Sequence, residues 1–198
     1  MRKSILLVLC LLLAWGTAGC GGGASANDEN WNDFTFYVKG AKAKLPMSGE
    51  ALDKLMSGKG YKLVGQSINE KNVGAGKETS VYYEDHDNDV TVKFLAENRS
   101  GQSVFLKDCN VVAIAVTDGD TRDIRFTSKK LYPGQTMTKD TMTKNFGEPR
   151  FDYDYSDEGE REYGYHRYDT GMYICALMVR TKDEVIQRIE LHWWIPQN

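Results

Sequence analysis

Three histidines, a glycine-rich segment ending in Lys77 and two acidic runs are the residues of this chain whose types could do chemistry. Nucleophilic catalysis needs a hydroxyl or thiol beside a base that a third group orients. His86, His166 and His192 fall in a turn and two strand-like runs without metal-ligand spacing, and Gly65-Gln66-Ser67-Ile68-Asn69 lacks the closing glycine of a nucleophile elbow. Gly74-Ala75-Gly76-Lys77-Glu78-Thr79 ends in Gly-Lys as a phosphate loop does. That loop needs glycine where Lys71 stands, a metal-binding hydroxyl where Glu78 stands, and a helix behind it, whereas Val81-Tyr82-Tyr83 reads as a strand. The segment is therefore read as a flexible connector. Asp85, Asp87 and Asp89 alternate, but the bend glycine and distal glutamate of a calcium loop are missing, so they read as a solvated hairpin turn. These patterns predict no catalytic residues, no metal and no cofactor. An envelope-modifying hydrolase built on His166 or His192 is the alternative from another class.

Cys20 carries a different chemistry. Arg2 and Lys3 precede an apolar run from Ile5 to Trp15, followed by Gly16-Thr17-Ala18-Gly19-Cys20. A basic start, an apolar middle and small residues at the cut describe an export signal. The run is shorter than the roughly 20 residues a spanning helix requires. Ala18-Gly19-Cys20 resembles the bacterial lipobox, with Thr17 where Leu is usual. The resemblance implies a diacylglyceryl thioether on Cys20, removal of residues 1–19, and anchoring to the cell membrane or outer membrane on the side away from the cytoplasm, since two or more acyl chains hold stably. An ordinary secretory signal with an accidental cysteine is the alternative. Gly21 replaces the Asp that would argue for retention at an inner membrane.

Once Arg2 and Lys3 leave with the signal, the 25 basic residues fall to 23 against 28 acidic ones, a net of −5. That sign argues against nucleic acid, whose phosphates demand a clustered positive surface. Cys109 and Cys175 survive maturation in a compartment where disulfides persist. Either they close a loop of roughly 65 residues, worth about 4 kcal/mol, or they are two separate buried thiols.

The aromatic residues make the strongest functional claim. Tyr153, Tyr155, Tyr163, Tyr165, Tyr168, Tyr173, Trp193 and Trp194 crowd the second half. Tyr and Trp supply contact area with a polar handle. Phe151, Tyr153 and Tyr155 alternate with Asp152 and Asp154, which places aromatics on one strand face and acids on the other. Adjacent strand residues point oppositely, so Trp193 and Trp194 cannot both be core. Tyr153, Tyr155, Tyr163, Tyr165, Trp193 and Trp194 are the candidate binding surface, with a plain core role as the competing reading.

The elements that must position these residues come in two similar sets. Residues 20–30 are glycine-rich without large apolar side chains and read as a tether, and structure is expected from near Trp31. Ser48 N-caps a short helix whose apolar residues follow helical spacing through Met56. Strand-like runs follow at Tyr61 to Val64, Ser80 to Tyr83, Val90 to Leu95 and Val111 to Val116. The grammar recurs with a helical segment from Met137 to Phe146, Thr138 standing where Ser48 does, and strands at Arg161 to Tyr168, Met172 to Val179 and Val185 to Trp194. Gly134-Gln135-Thr136-Met137-Thr138-Lys139-Asp140, Phe146-Gly147-Glu148-Pro149 and Val185-Ile186-Gln187-Arg188-Ile189-Glu190-Leu191 resemble the repeat of small outer-membrane-assembly lipoproteins and of the β-lactamase-inhibitor-protein fold. In the first half, Ser57-Gly58-Lys59-Gly60 stands in place of Phe-Gly-x-Pro. The resemblance implies a sheet with short helices on one face and protein binding on the other.

The expectation is an α+β protein of two similar helix-plus-meander units, residues 31–118 and 119–198. It is anchored through its N-terminal lipid, and its role is non-catalytic binding of a protein or envelope component. A structural subunit of an envelope assembly is the third reading.

Overall fold

The computed structural model describes residues 34–85, 87–117, 121–169 and 172–193. The signal, Cys20, the tether, Trp31 and Trp194 lie outside them. The described residues open with β1 (Thr35–Val38) and β2 (Ala41–Lys44), turned through Lys39 and Gly40, both at positive φ. β3 (Met47–Ser48) leads into α1 (Gly49–Ser57), followed by β4 (Lys62–Leu63), β5 (Asn72–Val73), β6 (Glu78–Asp85), β7 (Val90–Glu97), β8 (Val104–Phe105) and β9 (Asn110–Thr117). β10 (Ile124–Phe126) precedes α2 (Lys139–Phe146), and β11 (Phe151–Tyr155), β12 (Glu160–Asp169), β13 (Met172–Lys182) and β14 (Val185–His192) complete the described chain.

This architecture corrects the α+β expectation. Strands account for about half of the described residues, so the fold is mainly β, with two α-helices among them. Nor do the two halves keep separate sheets. β14 pairs with β9 from Arg188↔Thr117 to His192↔Ala113, so one antiparallel sheet runs β11-β12-β13-β14-β9-β7-β6-β4, with β3 also on β9. Two small sheets, β10-β1-β2 and β5-β8, complete the set.

Both helices sit where their caps predict. The Ala51 N–H donates to Ser48 Oγ at 3.2 Å, and the Thr141 N–H donates to Thr138 Oγ1 at 3.2 Å. Each cap satisfies an amide that helix geometry leaves without an intrahelical partner. Leu52 and Met56 on α1, and Met142 and Phe146 on α2, are buried at i, i+4 spacing. Each such burial stabilises by roughly 1.5–3 kcal/mol.

These stripes and the β10-β1-β2 sheet lie on one face of the large sheet. Phe36 of β1 meets Phe94 of β7 at a ring separation of 6.1 Å. The Tyr83 hydroxyl of β6 donates to Asp53 Oδ1 of α1 at 2.9 Å, and Phe146 of α2 meets Tyr165 of β12 at 5.6 Å. A single buried cluster runs through all of them.

Candidate functional site

The other face of the large sheet is open. Along β7, Val90, Val92, Phe94 and Ala96 are buried while Thr91 and Lys93 are exposed and Leu95 and Glu97 half-buried, the alternation expected of a strand with one solvated face. Cross-strand pairing carries the open row outward. Lys93 faces Tyr82 on β6 and Ala115 on β9, Ala115 faces Glu190 on β14, and Glu190 faces Met178 on β13. One step along, Arg188 faces Arg180, Arg180 faces Glu162 on β12, and Glu162 faces Tyr153 on β11. Both helices and the small β10-β1-β2 sheet contact the opposite side, through Tyr83, Phe94 and Tyr165.

The sequence-predicted aromatics separate between these faces. Tyr153 is 55% exposed and Tyr155 43% exposed on the open face. Phe151, Tyr153 and Tyr155 form a ladder along β11, with ring separations of 5.0 and 6.5 Å, and the Arg180 guanidinium lies 5.7 Å from the Tyr155 ring centre. Tyr163 and Tyr165 are corrected to core, each 2% exposed. The Tyr165 hydroxyl donates to the Gly147 carbonyl at 3.4 Å, and burial pushes both phenols above their ordinary values. Trp193 is half-buried, packs against the core and carries the Arg99 guanidinium 5.6 Å from its ring. Trp194 lies outside the described residues.

The acids of β11 point the other way. Asp152 accepts from Arg161 Nε at 2.6 Å and pairs with Lys139 Nζ of α2 at 2.7 Å, and Asp154 lies 3.3 Å from Arg161 Nη2. The two bases hold the Asp152 carboxyl below its usual range, against an opposing push from burial.

At the centre of the open face, Ala113 and Ala115 leave a shallow hollow of about 120 Å³ between Lys93 and Leu95 on one side and Glu190 and His192 on the other. Its size suits one inserted side chain rather than a whole small ligand, for which pockets of about 300 Å³ or more are usual. Burial lowers the His192 imidazole below its ordinary value, opposed by the Glu97 and Glu190 carboxylates and assisted by Arg99. Of the charges at the hollow, Glu190 pairs with Arg188; further along the same face, Glu160 pairs with Arg180 at 3.4 Å and Lys182 at 3.9 Å. Lys93 has no ion pair among the described residues.

Glu78 and Glu97 stand directly opposite on β6 and β7, where like charges destabilise. Burial, Glu97 repulsion and a hydrogen bond with Glu97 raise the Glu78 carboxyl, while Arg99 opposes. Among the described residues no group of three His, Cys, Asp or Glu side chains could hold a metal ion. None of the described helices is long and apolar enough to cross a membrane.

Cys109 is a free, buried thiol whose Sγ–H donates to the Phe105 carbonyl at 3.6 Å, and burial raises its pKa. Cys175 lies on β13 and Cys109 directly before β9, with β14 between those strands. Two strand spacings of about 4.8 Å separate them, beyond the ~7 Å limit for a bridge. The alternative of separate thiols therefore holds at Cys109. The Gly74 to Lys77 segment forms a hydrogen-bonded turn between β5 and β6. The Lys77 N–H donates to the Gly74 carbonyl at 3.1 Å, and buried Asn98 Nδ2 donates to the Val73 and Gly74 carbonyls at 2.8 and 2.9 Å.

Sequence reasoning missed Tyr82, which is 40% exposed on the open face, and the Ala113–Ala115 hollow. Its signal was available: small residues alternating with Ile114 and Val116 mark a strand that is packed on one side and bare on the other. Compared with family models, curated proteins and solved structures, the chain matches none of them.

Proposed function

We propose that the protein is a non-catalytic binding module, held at a membrane by lipid on Cys20, that engages a protein or other envelope component through the open face of its large sheet. The observation that carries this reading is the exposure of Tyr82, Tyr153 and Tyr155 on the same sheet face that carries the alanine-lined hollow. Large aromatic side chains exposed on a rigid strand offer contact area at little entropic cost. The central hollow gives a partner side chain a place to anchor, bordered by the polar side chains of Lys93, Glu190 and His192.

The anchor supports the same reading, since a tethered module meets its partner in two dimensions and needs less intrinsic affinity. Substituting Cys20→Ser should abolish metabolic labelling by palmitate and release the protein from the membrane fraction.

The face is tested by photo-crosslinking in the cell envelope. A photoreactive residue at Lys93 should give one specific adduct that disappears when Ala115→Trp fills the hollow. A photoreactive residue at Lys144, exposed on α2, should give none. Equal adducts from Lys144, or adducts indifferent to Ala115→Trp, would remove the open face as the binding surface.

A further inference from the structure

The large sheet has two edges of unequal kind. One ends in β4, only two residues long, and the other in β11, five residues long and paired only with β12 among the described residues. A free edge presents a row of unpaired N–H and C=O groups, and proteins usually blunt it with Lys, Pro, a bulge or inward charges. β11 reads Phe-Asp-Tyr-Asp-Tyr, without Lys or Pro, and it pairs with β12 in unbroken register from Phe151↔Gly164 to Tyr155↔Glu160. The charges that would blunt it, Asp152 and Asp154, are turned toward Lys139 and Arg161 and neutralised there.

The surroundings of this edge select its occupant. From Glu148 to Glu162 the chain carries seven acidic and two basic residues. Glu162 lies beside Tyr153 as its cross-strand partner, and Asp157 and Glu158 are exposed in the turn just beyond β11. A second copy of the chain would bring the exposed Asp157 and Glu158, and Glu162, toward an equally acidic edge, and like charges on paired strands destabilise. The chain's own residues 21–33 contain Asp28, Glu29 and Asp33 with no Lys or Arg, so they are repelled as well. An extended basic segment from another protein satisfies both the backbone edge and the charge. The Tyr155 ring already accepts the Arg180 guanidinium at 5.7 Å, which is the contact a visiting cation would repeat on the more exposed Tyr153.

We propose that β11 is a strand-addition site for an extended Lys- or Arg-rich segment of a partner protein, whose backbone continues the sheet while its cations lie on Tyr153 and against Glu162, Asp157 and Glu158. This edge is separate from the central hollow, so either can fail alone. Recognition by strand addition draws affinity from main-chain hydrogen bonds and specificity from alternate side chains.

The test uses the mature chain and three end-blocked peptides of about ten residues, enough to cover a strand of this length: alternating Lys-Val, alternating Glu-Val, and Lys-Val interrupted by two prolines. The Lys-Val peptide should bind at least about tenfold more tightly than either control, weakening as salt screens the charges. Amide exchange at Asp152, Tyr153, Asp154 and Tyr155 should slow in the complex. Tyr153→Ala, and separately Asp157→Lys with Glu158→Lys, should each weaken binding several-fold while leaving the thermal midpoint in place, because all three positions are exposed. Equal binding of the proline-interrupted peptide, or unchanged exchange across β11, would overturn strand addition.

Discussion

The Phe151 ring fills the space that a β-carbon on Gly164 would occupy. The two residues are cross-strand partners on β11 and β12, so the glycine is covered by an aromatic neighbour that holds the edge strand in register. Gly164→Ala should displace the ring and cost about 1–3 kcal/mol, the usual penalty for overpacking. Phe151→Ala added to Gly164→Ala should recover part of the loss. A denaturation series of the wild type, both single variants and the double variant checks this, and additive effects would show that the ring and the glycine do not interact.

Asp85 ties the β1–β2 turn to the β6–β7 hairpin. It is 3% exposed and accepts from Lys39 Nζ at 2.7 Å, Asn88 Nδ2 at 2.9 Å and the Asp87 N–H at 3.1 Å. The Lys39 hydrogen bond leads the set that holds its carboxyl below the ordinary range. A depressed folded value means that this stabilisation is complete above the unfolded value of about 3.9 and is lost as pH falls through the folded one. Asp85→Asn should cost about 1–3 kcal/mol at neutral pH and flatten the acid limb of the stability curve below about pH 4. Urea denaturation of both proteins between neutral and acid pH measures both effects.

Tyr83 is 1% exposed, and burial followed by its hydrogen bond to Asp53 raises its phenol well above the ordinary value, as burial also does for Tyr61. Stability contributed by keeping these groups neutral is intact below the unfolded tyrosine value of about 10 and falls as pH climbs from there toward the folded values. An absorbance titration should therefore show these phenols ionising with alkaline unfolding, after the exposed tyrosines. Tyr83→Phe should cost about 1–3 kcal/mol, because it leaves the Asp53 carboxylate without its donor.

Cys109 should resist thiol reagents in the native protein and react on unfolding, since its thiol is buried and its pKa raised. Reducing agent should leave the thermal midpoint of the domain unchanged. A drop of several degrees on reduction would contradict the free thiol.

Much of this fold was legible locally. Ser48 and Thr138 marked both helix starts, and the strand-like run from Val90 to Leu95 marked most of β7. What sequence could not supply was the partner of each strand. The β14–β9 pairing joins residues such as His192 and Ala113, far apart in sequence, and no local pattern announces it. Without that pairing, two meanders read as two units and two short helices weigh more than they should. β2, β5, β8 and β10 are too short to show a period, so their absence from the reading tilted it toward helix. The Phe-Asp-Tyr-Asp-Tyr alternation was read as two faces, but its sign is set by α2. Lys139 draws Asp152 to the covered side, and the tyrosines are left outside.

The position of β14 also has a kinetic meaning. The final strand of the described chain is an interior strand, flanked by β13 and β9. The central ladder cannot zip until residues 185–192 are available, so β11-β12-β13 and β9-β7-β6 join into one sheet only after β14 has been made. Such non-local closure is slow compared with hairpin formation. It also makes the last strand the step at which a truncated or stalled chain would be left with adhesive edges.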